Sequence, residues 1–243
     1  MPEARLPLVL LGLACLAGAT PSPAQSATAE LRPYTVRYEV SYLNVSGGIL
    51  QGSLRREGSG PRWVYETTVE PSLLGRMLVT EDAVGRATMT IGPDGVRPLS
   101  FRLEDGKSST RNDVRYDYDW TAMRVTGKAK SKPIDIALVP GAQDAGSIQP
   151  AILLALMTGR APAEVPVMSG TRLKTYRYVD EGKATLDTAL GRVETVIRSG
   201  ARDGSDRMTR SWHAPSLGFV PVQVINYRDG KPQSVLRVVE LKR

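Results

Sequence analysis

From Tyr34 onward the hydropathy of the chain takes up a period of two and keeps returning to it. Tyr34, Val36, Tyr38, Val40 and Tyr42 alternate with Thr35, Arg37, Glu39 and Ser41. An extended backbone sends successive side chains to opposite faces, so this spacing predicts a strand with one buried face. Val114, Tyr116, Tyr118 and Trp120 repeat the pattern against Arg115, Asp117 and Asp119, and Ile134, Ile136 and Leu138 repeat it against Asp135 and Ala137. Gly- and Asp-containing turn signals separate such runs at Gly47-Gly48, Gly58-Ser59-Gly60-Pro61, Gly92-Pro93-Asp94-Gly95, Asp105-Gly106, Glu181-Gly182, Asp203-Gly204 and Asp229-Gly230. These residues tolerate the positive φ angles that tight hairpins need. Sequential antiparallel neighbours follow, with about ten to twelve strands, a number at which an open sheet curls or closes. The expected fold class is mainly β: a large curved antiparallel sheet or incomplete β-barrel, with one short helix packed on it.

That helix is predicted between Ser147 and Thr158, where Ile148, Ile152, Leu153, Leu156 and Met157 fall at helical spacing. Ser147 is placed to cap its first turn and Gly159 to end its last. Pro150 occupies a first-turn position whose N–H has no intrahelical partner. An apolar helical stripe in a β chain packs on the sheet, either as core or as a lid over a ligand cavity.

The N-terminus has the three parts of a secretory signal: Arg5, the apolar run Leu6 to Leu16, and the small residues Ala17-Gly18-Ala19. Residues 1–19 are therefore expected to be a signal peptide, with a cut as late as residue 29. Residues 20–31 form a small, polar leader and 32–243 a single β domain. The apolar run is too short to span a bilayer and no longer one follows, so no transmembrane span is expected. Cys15 is the only cysteine and falls inside the signal. The order Gly12-Leu13-Ala14-Cys15 fits a lipobox poorly, which argues against lipid anchoring there. A chain cut after it has no disulfide, thiolate metal site or cysteine nucleophile.

Hydrophobic residues make up 41% of the 243 and charged residues 23%, enough for a substantial core. The net charge is +7, and Arg outnumbers Lys by 24 to 8. The arginines are scattered singly from Arg32 to Arg243, unlike the concentrated patch of a nucleic-acid binder. They read as solvated surface, with attraction to an anionic envelope surface as the functional alternative. Lys128, Lys130 and Lys132 form a period-two basic stripe, a pattern that guards an exposed edge strand.

Catalytic motifs are scarce. His213 is the only histidine, so metal motifs with two histidines cannot occur. The sequence has no G-x-S-x-G elbow, S-x-x-K motif or phosphate-binding Gly-rich loop. Ser211 lies two residues before His213, on the same face of a strand, and is the one serine hydrolase candidate; a polar pair on the outward face of the strand is the plainer reading. Asp117 and Asp119 also share a face, where they could hold a cation, but charged exposed strand faces are ordinary.

The order of several short elements is similar to that of an exported bacterial family catalogued as domain of unknown function 3108. The elements are the strand Tyr34 to Tyr42, Arg62-Trp63-Val64-Tyr65, Gly95 to Phe101, Asp117 to Trp120, Asp144 before the helix, and Trp212 to Pro215 with Pro221. The resemblance covers nearly all of Tyr34 to Leu241. It implies an exported curved sheet or incomplete barrel, in outline like lipocalins and periplasmic lipoprotein carriers, and brings no catalytic residue with it.

The expected function is a non-enzymatic periplasmic binding or envelope-assembly module for an apolar or amphipathic ligand such as a lipid, without cofactor, metal or nucleic acid. The alternatives are an interaction scaffold with a filled core and, third, a hydrolase using Ser211 and His213. Tyr34, Tyr38, Tyr42, Trp63, Ile152 and Leu156 are the expected ligand contacts. The question is whether the tyrosine face looks into a cavity or into packed side chains.

Overall fold

The computed structural model describes residues 30–72, 83–104 and 113–243. Fourteen strands form one antiparallel sheet: β1 (Tyr34–Tyr42), β2 (Val45–Arg56), β3 (Arg62–Pro71), β4 (Val84–Gly92), β5 (Gly95–Glu104), β6 (Val114–Asp119), β7 (Arg124–Ala129), β8 (Lys132–Ala137), β9 (Glu164–Ser169), β10 (Arg172–Thr188), β11 (Gly191–Arg202), β12 (Arg207–His213), β13 (Pro221–Arg228) and β14 (Lys231–Lys242). The helix α1 (Ile148–Met157) stands between β8 and β9. Among the described residues the expected mainly β class, incomplete closure and one α-helix are present, with more strands than the period-two runs alone suggested.

The spatial order is β8-β7-β6-β5-β4-β3-β2-β1-β14-β13-β12-β11-β10-β9. The first strand therefore pairs with the last, Val36 opposite Leu241 and Tyr38 opposite Val238, in the middle of the sheet. The two free edges, β8 and β9, are joined by the segment that carries α1. Gln143 in that segment bridges the edge of β9: its N–H donates to the Pro166 carbonyl and its carbonyl accepts from Met168 N–H, both at 2.8 Å. Its side-chain Nε2 donates across to the Val96 carbonyl on β5 at 2.9 Å. One buried side chain thus ties the two halves of the sheet across their open seam.

Antiparallel pairing sorts the connections into two ends. The turns β1–β2, β7–β8, β9–β10, β11–β12 and β13–β14 lie at one, called here the hairpin end. The start of β1, the end of β14, the β12–β13 connection and α1 lie at the other, the helix end.

The strand expected at Tyr34 to Tyr42 has those bounds, and its burial decays along its length: Tyr34, Val36 and Tyr38 are buried, and Tyr42 is exposed. Two turn expectations are corrected. The first hairpin turns at Leu43-Asn44, both at positive φ, while Gly47-Gly48 lies inside β2. A Cβ on Gly48 would sit 2.1 Å from the Glu70 carbonyl oxygen, so its glycine serves close strand approach. Glu181-Gly182 likewise sits in a bulge within β10, opposite β11. Asp105-Gly106 falls outside the described residues. The lysine stripe is not one strand face: Lys128 is on β7, Lys130 in the turn and Lys132 on the edge strand β8.

The helix spans nearly the expected residues but is capped differently. Ser147 makes no cap with its own side chain. Asp144 Oδ1 accepts from the N–H groups of Gly146 and Ser147, at 2.9 and 2.8 Å, and Ser147 Oγ accepts from Asp144 N–H at 2.9 Å. This reciprocal pair satisfies the donors of the turn leading into α1. The turn then presses on the sheet, where a Cβ at Gly146 would lie 2.5 Å from Ala87 Cβ. Beneath it Phe101, Tyr116, Tyr118 and Trp120 form a run of ring contacts with centroids 5.7 to 6.5 Å apart.

Candidate functional site

At the helix end a half-open cavity of about 380 Å³ lies between α1, the residues entering β1 and the β12–β13 connection. Leu31, Tyr34, Leu153, Met157 and Val220 supply its apolar lining, and Glu30, Arg32 and Arg243 its charged rim. Leu153 and Met157 are one helical turn apart and project from the same face of α1. Gly218 takes φ 55° to close the turn after Pro215–Leu217, and the Arg243 guanidinium packs against it. A side chain there would strain the turn and displace Arg243.

The electrostatics of the mouth favour an anion. Glu30 is ion-paired with Arg56, which removes its charge from the balance. Arg32 and Arg243 have no carboxylate partner among the described residues and are exposed. Deeper in, the Tyr34 hydroxyl is buried against the Tyr65 hydroxyl. Burial pushes its pKa well above the usual tyrosine value, with the neighbouring Tyr65 and Tyr38 adding to the effect and Arg243 opposing it. The group is a neutral polar handle among the apolar side chains of the cavity. Tyr65 beside it is pushed up to about 12 by burial.

The expected contacts divide. Tyr34 lines the cavity. Tyr38 is packed, and its hydroxyl donates to the Pro221 carbonyl at 2.8 Å, tying β1 to the start of β13. Tyr42 is exposed at the hairpin end, far along the same strand. Trp63 is buried in the core, with the Arg56 guanidinium 4.9 Å over its ring. Ile152 and Leu156 are half-buried and lie outside the set of helix residues packed on the core, which comprises Ala151, Leu153, Leu154 and Met157. The helix is rotated relative to the expected stripe. Because α1 is apolar almost all round, its sequence carries no sharp polar face from which that rotation could be read. Leu31, Arg32 and Arg243 reach the site only through the β1–β14 closure and Val220 through the β12–β13 connection, which no local pattern announces.

Ser211 and His213 do meet, but on a buried face of β12 and not the expected outward one. The Phe219 carbonyl, 2.9 Å from Nδ1, can only accept, so Nδ1 carries the proton and Nε2 accepts from the Ser211 hydroxyl at 2.8 Å. Burial lowers the His213 pKa to about 4, with nearby Arg198 adding to the fall. The ring is neutral, 1% exposed and bonded at both nitrogens, with a backbone carbonyl where a serine triad has its carboxylate. Its evident work is to hold Phe219, and so the connection that forms one cavity wall. Arg198 stands opposite Ser211 in the ladder, ion-paired with Asp180 at 2.7 Å and stacked 5.3 Å from the Tyr178 ring. Asp117 and Asp119 are committed elsewhere: Asp117 bridges Arg102 and Arg115, and Asp119 caps the turn at Thr121 and Ala122. Among the described residues no group of His, Cys, Asp and Glu could hold a metal ion.

The comparisons with known proteins bear on the fold. A family model described as "Protein of unknown function (DUF3108)" matches residues 33–230. The chain belongs to this family. No curated protein matches it. Among solved structures, a β-barrel-like protein of domain of unknown function DUF1849 from Brucella abortus aligns with TM-score 0.50 at 11% identity, covering 86% of this chain and 97% of that one. A presumed exported protein with a YmcC-like fold from Bacteroides fragilis aligns at 0.40 and 11% identity, over 86% and 95% of the two chains. A presumed lipoprotein from Parabacteroides distasonis aligns at 0.37 and 10% identity, over 87% and 96%. The Brucella likeness supports the same barrel-like architecture for this member of the family and goes no further.

Proposed function

We propose that this DUF3108 member is an exported envelope protein that binds an amphipathic ligand, one apolar chain with an anionic head, in the helix-end cavity. The carrying observation is the meeting of apolar side chains from Leu31, Leu153, Met157 and Val220 with two unpaired arginines around one cavity. A volume of about 380 Å³ is at the lower end of ligand pockets and suits a single chain or part of a larger lipid. The signal-like residues 1–19, the leader to residue 31 and the domain from 32 onward support a periplasmic setting, in which such ligands are abundant. Among the described residues no helix is long and apolar enough to cross a membrane. The filled-core scaffold keeps one observation in its favour, the dense packing around Tyr38 and Trp63.

The test is displacement of a fluorescent fatty-acid probe, together with mass spectrometry of lipid recovered with the native protein. Saturable probe binding is expected, weakened by Arg32→Gln with Arg243→Gln and abolished by Met157→Trp, which fills the mouth. Probe binding unaffected by Met157→Trp, or a native protein free of lipid, would favour the scaffold instead.

A further inference from the structure

The cavity occupies only the helix end; the hairpin end carries a second, differently built surface. Lys130 follows β7 in the β7–β8 turn, Arg172 and Lys174 begin β10, and Arg202 ends β11. These positions are distant in sequence but adjacent in the fold. Tyr116 on β6 donates to the Gly170 carbonyl at 2.8 Å, which holds the β9–β10 turn against the β6–β8 side of the seam. On the other side, the ladder sets Arg202 opposite Tyr176, two residues from Lys174 and on its face. The Lys174 ammonium is held below the usual lysine range, first by partial desolvation and then by Arg202, Arg172 and Lys130, so the four charges share one field.

None of the four has a carboxylate partner among the described residues. The neighbouring acids are used by other arginines: Asp203 and Glu164 pair with Arg177, and Asp206 pairs with Arg228. Lys174 finds only the Ser169 hydroxyl, at 3.1 Å. Four like charges gathered without counter-charge repel one another, and a stable fold gains nothing from them in isolation.

The same end exposes an apolar hairpin tip. Tyr42 is 38% exposed, Leu43 56% and Val45 38%. Leu43 also takes φ 48° and Asn44 φ 66°, a turn in which Asn and Gly are favoured and a leucine is strained. A large apolar residue is thus held, strained, where it meets solvent. Cations fit an anionic surface and a protruding leucine fits hydrocarbon just beneath it; a soluble polyanion would leave the leucine unused. We propose that the hairpin end docks on an anionic phospholipid surface, with Lys130, Arg172, Lys174 and Arg202 facing headgroups and Leu43 entering the interface.

The experiment is co-sedimentation of the purified protein with vesicles of phosphatidylcholine alone or with about one third phosphatidylglycerol. Binding is expected only to the anionic vesicles and should weaken with added salt. Lys130→Gln with Arg172→Gln should reduce it roughly 25-fold, about fivefold for each cation removed near an anionic surface. Arg62→Gln with Arg192→Gln removes the same charge from exposed positions at the helix end and should leave binding within about twofold. Leu43→Asn should weaken vesicle binding while leaving the melting temperature equal or higher, because asparagine relieves the turn. The proposal is overturned by absence of binding to anionic vesicles, by equal losses in the two charge pairs, or by binding to soluble heparin with none to vesicles. Failure here leaves the probe experiment on the helix-end cavity untouched, since the two read opposite ends.

Discussion

Asp144 is fully buried at the entry to α1, and its charge opposes the fold. Burial raises its pKa from an ordinary 3.8 to about 6, against the lowering effect of the hydrogen bonds from Ser147 and Gly146. Its second oxygen, Oδ2, faces the buried Tyr118 hydroxyl, and the two groups interact: the hydroxyl lowers the Asp144 pKa and the carboxylate raises that of Tyr118. Between pH 3.8 and about 6 the native state retains a proton that the unfolded chain has lost, so stability falls as pH rises through that window. At about 1.4 kcal/mol for each tenfold change in proton affinity, the ionised carboxylate costs about 3 kcal/mol above pH 6. His213 works the other way. Its folded pKa of about 4 lies below its ordinary 6.5, so its contribution is full above pH 6.5 and is lost as pH falls toward 4. That loss is also about 3 kcal/mol, and the two nearly cancel in the native protein.

Asp144→Asn keeps an oxygen to accept the two N–H groups and removes the charge. The variant should be more stable than the parent by up to about 3 kcal/mol at neutral pH and equal to it near pH 4. Its own stability should then fall on acidification, because the His213 contribution is no longer offset. Urea unfolding at a series of pH values reads both effects as a shift in midpoint. A variant less stable at neutral pH, or displaced by the same amount at every pH, would refute the reasoning that a buried charge, rather than the cap geometry, dominates at this residue.

Two further changes probe how the helix segment is held. Gly146→Ala puts a methyl group 2.5 Å from Ala87 Cβ at a fully buried contact and should cost about 1–3 kcal/mol, measurable as a lowered urea midpoint. Gln143→Leu removes the buried bond to the Val96 carbonyl and should cost about 1–3 kcal/mol, with faster amide exchange concentrated in β9 beside the seam. Exchange rising equally in all strands would show that the residue supports general stability and not closure.

Several features were legible because they depend on local chemistry alone. The bounds of β1 follow from strict alternation, and the turns at Pro93-Asp94, Asp203-Gly204 and Asp229-Gly230 follow from residues that accept tight-turn geometry. The extent of α1 follows from its apolar spacing between Ser147 and Gly159. The same signals misled at Gly47-Gly48 and Gly182. A glycine needed for close strand approach or a bulge has the same composition as one needed for a turn, and only the partner strand tells them apart. The turn at Leu43-Asn44 carries Asn44 but lacks the glycine that usually completes such a signal.

The candidate site was legible only in part, and Tyr34 shows why. Its place on a buried face is fixed by period two, which is a property of the chain. Whether that face meets a cavity or a neighbour depends on position along the strand: Tyr34 reaches open space at the helix end, Tyr38 meets the Pro221 carbonyl, and Tyr42 emerges into solvent. Alternation repeats along a strand and is blind to its ends. Period-two alternation and one helical stripe are enough to commit this chain to curved antiparallel β structure with a helix between Ser147 and Thr158. The pairing of β1 with β14, the closure of the seam by Gln143 and the meeting of Arg32 with Arg243 at one cavity mouth arise only in the assembled sheet. Those outcomes rest on contacts between residues as many as two hundred positions apart, which compete with other pairings only once the whole sheet is assembled.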